Sequence, residues 1–181
     1  MNAGFVTPWA FSRIVLSVDD LDFAQVYERH ARDIYRFSVY LSGDVHVAEE
    51  VTAETFARAW ASRDRVRLGS VKAYLLMIAR NLYRDGQRRD WRARQLDLGM
   101  PDPGPDPETT AGDRDALRRV LDALAQLPEA DRAALLLSAQ EGLSSEEIAA
   151  TLGLSVAAVK VKIHRARLRL NELRRGWETM P

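Results

Sequence analysis

"SSEEIAATLGLSVAAVKVKIHRARLRL", Ser144 to Leu170, is the stretch whose reading decides the fold. Ser144 and Glu147 stand at capping-box spacing, where each side chain satisfies a backbone N–H of the other at the start of a helix. Ile148 and Leu152 lie about one turn apart and point inward, Gly153 supplies a turn, and Ser155 caps the helix that follows. The stretch therefore reads as a helix-turn-helix. On a wheel of about 100° per residue, Val156, Val159, Ile163, Ala166 and Leu170 share one side and form the core stripe. The opposite face carries Ala157, Val161, His164, Arg165 and Leu168, flanked by Ala158 and Arg169. Apolar side chains exposed among cations call for a covering surface, and the major groove of duplex DNA is one. There Arg165 and His164 donate to base edges while Ala157 and Val161 meet thymine methyls. Lys160, Lys162 and Arg167 sit at the rim and reach phosphates, which position the helix and make affinity fall with salt.

Working outward, Pro128 opens a preceding helix that closes near Gly142, and another helix runs from about Arg114 to Ala125. Before these stands "DLGMPDPGPDPETTAGD", with prolines at 101, 103, 105 and 107 among acids and glycines. Such a segment cannot be helix interior and has too little apolar content to pack, so it reads as a linker between two domains. Upstream of it, Phe23, Val26, Tyr27, Ile34, Phe37 and Leu41 recur at helical spacing as far as Gly43. Asp44 caps a second helix to about Ala61, packing through Ala48, Thr52, Phe56 and Ala59. After "SRDRVRLGS" breaks the pattern, a third helix buries Val71, Tyr74, Leu75, Ile78 and Leu82 and runs to about Arg88 despite Gly86. No useful β-type alternation appears, and the fold class is all-α: two small helical domains joined by a flexible acidic Pro-rich linker. The divisions are a tail over 1–20, a first domain over 21–95, a linker over 96–112, a helix-turn-helix domain over 113–176 and a tail over 177–181.

The 181 residues carry 26 Lys+Arg against 26 Asp+Glu, so only the segregation of charge points to a partner. Six arginines lie between Arg80 and Arg94, whereas Asp97 to Asp113 carries acids alone. Lys72, Arg80, Arg84 and Arg88 follow one side of the third helix beside Asn81 and Tyr83, a pattern that fits single-stranded or distorted nucleic acid. On the second helix Glu50 and Glu54 stand one turn apart opposite the packing stripe, a like-charge pair that a basic protein partner relieves. Absent cysteine removes disulfides, thiolate metal sites and a cysteine nucleophile, and a reducing cytoplasm is the simplest home. His30, His46 and His164 have no metal-ligand spacing, no nucleophile stands with a base, and no cofactor or catalysis is expected. The opening residues form neither a signal peptide nor a membrane span and read as a tail, with a docking arm as the alternative.

These segments resemble the bacterial sigma-70 family, specifically its small extracytoplasmic-function (ECF) sigma factors, from about Leu21 to Arg174. "AEEVTAETFARAW" is similar to the family's region 2.2, which implies contacts from Glu50, Ala53 and Glu54 to the clamp helices of the β′ subunit of core RNA polymerase. "VKAYLLMIARNLYRDGQRRD" resembles regions 2.3 and 2.4, which open the minus-10 element, and "SRDRVRLGS" resembles the loop that captures a flipped base. The resemblance implies minus-10 contacts from Arg63, Asp64, Arg65, Lys72, Tyr74, Arg80, Asn81, Arg84 and Arg88. The segment from Leu127 to Leu170 resembles region 4, which reads the minus-35 duplex and meets the flap of the β subunit. Ala157, Ala158, Lys160, Val161, Lys162, His164, Arg165 and Arg167 take the minus-35 positions. Departures stand at Ala157 and Ala158 for a common glycine-threonine, Val161 for serine, Ala53 for glutamine and Gly86 for a histidine or larger residue. The resemblance further implies an anti-sigma partner and a linker threaded near the polymerase active centre; no third domain or membrane insertion is expected. The alternatives are a helix-turn-helix regulator that acts without polymerase and a helical adaptor that sequesters other factors.

Overall fold

The computed structural model describes residues 23–62, 70–94 and 111–178. They form seven α-helices: α1 Phe23–Ser42, α2 Val45–Ala61, α3 Val71–Arg94, α4 Ala111–Ala125, α5 Glu129–Ala139, α6 Ser145–Leu152 and α7 Val156–Glu178. The all-α class expected from the sequence is the class of these residues. Three limits differ from the expected ones. α3 continues through Gly86 to Arg94, α4 begins at Ala111, inside the expected linker, and α7 runs to Glu178, inside the expected C-terminal tail. The N-terminal tail, the loop after Ser62 and the proline-rich stretch lie outside the described residues.

Each helix end has a local cause. Asp44 Oδ1 accepts from the N–H groups of His46 and Val47 at 2.8 and 3.2 Å, starting α2. Ser144 and Glu147 close the capping box, with Glu147 N 3.2 Å from Ser144 Oγ and Ser144 N 2.9 Å from Glu147 Oε2. Gly153 ends α6 at φ +66°, a left-handed backbone that costs any side chain-bearing residue about 1–2 kcal/mol. Ser155 Oγ then accepts from Ala158 N at 3.2 Å and starts α7.

The first three helices pack on one another around Ile34, Phe37, Leu41, Phe56, Leu75 and Leu76. The last three pack around Leu136, Leu137, Ile148, Val159, Ile163 and Ala166, the last three of these residues confirming the register of the helix-turn-helix. The two groups do not stand apart. α5 lies against α1, and α6 lies against α3, so one continuous core runs from Val26 to Ala166. α5 is the central element, with Asp131 through Leu137 buried without a break. A helix buried all round needs neighbours on every side, and here the two halves together supply them. The same closure covers Arg80 of α3, which meets α5 and α6, and brings the Tyr83 hydroxyl against α5.

Gly86 has no conformational reason to be glycine: it sits within α3, and a Cβ there would meet nothing within 4 Å. Since an interior glycine costs about 1 kcal/mol relative to alanine, Gly86→Ala should raise the thermal midpoint by about 2–4 °C. A calorimetric scan of the two proteins checks it; an unchanged or lowered midpoint contradicts it.

Candidate nucleic-acid and partner interface

α7 presents the face expected of a recognition helix. Val161 and Leu168 are exposed at 56% and 51%, Ala157, His164, Arg165, Lys160 and Arg167 are exposed, and Ala158 and Lys162 are half-buried. The structure adds an acid that the sequence reading had not placed there. Asp131, in the first turn of α5, accepts from Arg165 through Nε at 3.1 Å and Nη2 at 2.9 Å, and from Lys162 Nζ at 3.2 Å. Burial alone would push the Asp131 carboxyl up, but the hydrogen bonds and charges of Arg165 and Lys162 outweigh it and hold it below its ordinary value. Its stabilising effect is thus complete above pH 3.8, the ordinary value, and is lost as pH falls through the lower folded one.

The basic side of α3 is arranged differently from the solvent-facing stripe that its spacing suggests. Arg80 is only 4% exposed. Its Nε and Nη2 donate to Glu129 of α5 at 2.8 and 3.1 Å, and its Nη1 donates to the Leu152 carbonyl at 3.4 Å. Tyr83 is buried beside it and its hydroxyl accepts from Arg132 Nη2 at 3.3 Å. At the other end of α3, Lys72 Nζ lies 2.7 Å from Glu141 Oε2 and 2.9 Å from Asp33 Oδ2. Burial lowers the Lys72 ammonium, but Glu141 and Asp33 more than offset that and raise it, so this contact persists below the ordinary value of 10.5 and weakens only as pH rises through the raised one. Tyr74 and Arg84 are half-buried and Asn81 is exposed. Arg63, Asp64, Arg65 and the Arg88 side chain lie outside the described residues.

The acidic pair of α2 borders a cleft of about 640 Å³ between α2 and α3, lined by Glu50, Ala53 and Glu54 on one wall and Leu82, Tyr83, Gly86 and Gln87 on the other. Glu50 and Ala53 are exposed, and Glu54 is held by Arg58 Nε at 2.7 Å. The three residues expected to meet a basic partner therefore open on one cavity with a partly apolar wall.

A helix-turn-helix and a second helical unit with an acidic cleft on one chain match two family models: Sigma-70 region 2 over residues 26–93 and Sigma-70 region 4 over residues 117–170. The ECF RNA polymerase sigma factor SigL of Mycobacterium tuberculosis is 37% identical over 158 residues, 82% of this chain and 88% of that protein. The chain belongs to the ECF sigma factors of the sigma-70 family. The ECF sigma factor SigE of Mycolicibacterium smegmatis is 37% identical over 153 residues, and the match spans 60% of that protein's length. Two solved structures share the fold. RpoE of Bartonella quintana, in complex with the anti-sigma factor NepR, has a TM-score of 0.73 at 29% identity over 85% of this chain and 97% of that one. CnrH, in complex with the cytosolic domain of CnrY, has a TM-score of 0.67 at 28% identity over 85% and 88%.

Within this sigma factor the halves are joined by ion pairs on residues whose acidic partners the sequence did not disclose. Glu129, Asp131 and Glu141 lie in or just after α5, and nothing in local periodicity separates them from solvated acids. The Arg80 side chain is 5% exposed and that of Glu129 27%, so the guanidinium is shielded from water while the carboxylate is half-buried. Removing one partner of a buried pair costs about 3–5 kcal/mol while the other stays buried. Glu129→Ala should therefore shift the protein towards separated halves, seen as a larger radius of gyration in small-angle scattering. Glu172→Ala, which removes only an exposed pair with Arg169, is the control. Equal radii for Glu129→Ala and wild type would refute the linkage.

Proposed function

We propose that this chain is the promoter-recognition subunit of RNA polymerase, with its work divided among three surfaces. The cleft beside Glu50, Ala53 and Glu54 takes the clamp helices of the β′ subunit, and region 4 takes the flap of the β subunit. α7 enters the major groove of the minus-35 element, with Arg165, His164, Val161, Ala157 and Ala158 at bases and Lys160, Lys162 and Arg167 at phosphates. α3 and the loop before it open the minus-10 element through Arg63, Asp64, Arg65, Lys72, Tyr74, Arg80, Asn81, Arg84 and Arg88. The chain makes and breaks no bonds; nucleotide polymerisation belongs to the polymerase.

The observation that carries this reading is the acidic cleft on the same chain as the helix-turn-helix. A regulator that binds DNA alone has no use for Glu50 and Glu54, whereas a subunit that must ride on a larger enzyme does. Melting a promoter costs about 1.4 kcal/mol per base-pair step in lost stacking, and polymerase contacts with the trapped bases offset it. Arg80 and Lys72 must leave Glu129 and Glu141 before they reach DNA, so promoter opening requires the halves to separate. An anti-sigma factor that favours the closed form keeps the protein idle, in line with the partner named for RpoE. No helix among the described residues is long and apolar enough to cross a membrane, and we assign the chain to the cytoplasm, at the nucleoid when active and at the membrane when an anti-sigma factor holds it there.

The test is binding to purified core RNA polymerase by wild type and by Glu50→Lys/Glu54→Lys, followed by transcription from promoters selected out of a random library. The expected outcome is tight wild-type binding, weakened at least tenfold in the double variant, and a selected promoter with two separated elements. Absence of polymerase binding by the folded wild-type chain would instead favour the helix-turn-helix regulator.

A further inference from the structure

α5 and α7 belong to the same half of the molecule, so the contacts of Asp131 with α7 survive any separation of the halves. The Asp131 side chain is 4% exposed, yet it is fully engaged, and both of its partners come from the helix that faces DNA. Those partners are held in different ways. Lys162 reaches one carboxylate oxygen with a single flexible ammonium. Arg165 meets both oxygens with the Nε–Nη2 edge of its guanidinium, which fixes the plane of the group. The Arg165 side chain nevertheless remains 57% exposed. Lys160 and Arg167, by contrast, are exposed and form no ion pair among the described residues.

A cation free to move serves a phosphate, since any angle of approach suffices. A base edge requires a guanidinium in one plane at one place, and an arginine already held there loses less side-chain entropy on binding. The buried carboxylate also offsets part of the charge of Lys162 and Arg165, so the phosphate contact assigned to Lys162 is weaker than those of Lys160 and Arg167 and less is offered to every phosphate on the chromosome. We propose that Asp131 is a positioning residue for reading the upstream promoter duplex, orienting Arg165 towards a base edge while suppressing sequence-independent binding by Arg165 and Lys162. The inference rests on the reading of α7 as the minus-35 helix.

The test uses the full chain assembled with core RNA polymerase. Binding is measured on a promoter selected from a random library and on the same promoter with its upstream element scrambled, between about 50 and 200 mM salt. Asp131→Asn removes the charge; Asp131→Glu keeps it but displaces the fork by one methylene. For Asp131→Asn, binding to the scrambled duplex should rise and its log–log salt dependence should steepen by up to about 1.8, the contribution of two further phosphate contacts. The preference for the selected over the scrambled promoter should fall about tenfold. For Asp131→Glu the preference should fall while the salt dependence stays at the wild-type value, a separation that a merely structural role would not produce. If folded Asp131→Asn matches wild type in both preference and salt dependence, the proposal is overturned. Should Asp131→Asn fail to fold, Asp131→Glu decides alone, and an unchanged preference overturns it. A wild-type holoenzyme that shows no preference for the upstream element would remove the minus-35 reading itself, and the proposal with it.

Discussion

The first turn of α5 is the constraint on which the rest of the molecule depends. Within four residues, Glu129 takes Arg80 from α3, Asp131 takes Lys162 and Arg165 from α7, and Arg132 donates to Tyr83 of α3 and to the Leu124 carbonyl at the end of α4. Burying a turn that polar is costly unless its groups find partners, and here all three charged side chains find at least one, although Arg132 Nε finds none. The partners come from three other helices, so the position of each is fixed relative to the others. The apolar run that follows, Ala133 to Leu137, then fills the space between the halves. Hydrophobic burial supplies the driving force for closure, and the ion pairs of Glu129 and Asp131 favour the arrangement in which both carboxylates keep their cationic partners.

What could be read from the sequence was what is determined locally. The capping box at Ser144, the left-handed Gly153 and the stripe Val159, Ile163 and Ala166 depend on neighbours within a few residues, and the structure has them as expected. The acidic pair on α2 was likewise legible, because its face follows from helical spacing once Ala48, Thr52 and Phe56 are assigned inward. Arg80 was not legible. Its carboxylate stands 49 residues further along the chain, beyond the proline-rich stretch, and no periodicity links the two. On α3, spacing alone marks one apolar stripe and one basic stripe; the burial of the basic stripe is a property of the second half of the molecule, not of the helix.

This arrangement bears on how a chain with 26 basic and 26 acidic residues handles a polyanion. Net charge near zero gives little long-range attraction, and several of the cations that matter are already paired. In the proposed function, contact with DNA by Arg80 or Lys72 is then an exchange of a carboxylate for a phosphate rather than the capture of a phosphate by a free cation. Such an exchange would release fewer counterions than the number of basic residues suggests, which would keep non-specific affinity low and its salt dependence shallow.

The two kinds of ion pair consequently play opposite parts. The Arg80–Glu129 and Lys72–Glu141 pairs join separate halves, and they must break before the minus-10 side of α3 is accessible. The Asp131–Arg165 pair lies within one half and need not break at all. Opening the molecule therefore exposes α3 without loosening α7. On the reading proposed above, one DNA-reading surface is gated by closure while the other keeps its geometry throughout, so the duplex-reading helix is presented in a defined shape before the bases of the minus-10 element are unstacked. On that same reading the costly step, melting, is confined to DNA whose upstream sequence has already been met by an ordered guanidinium.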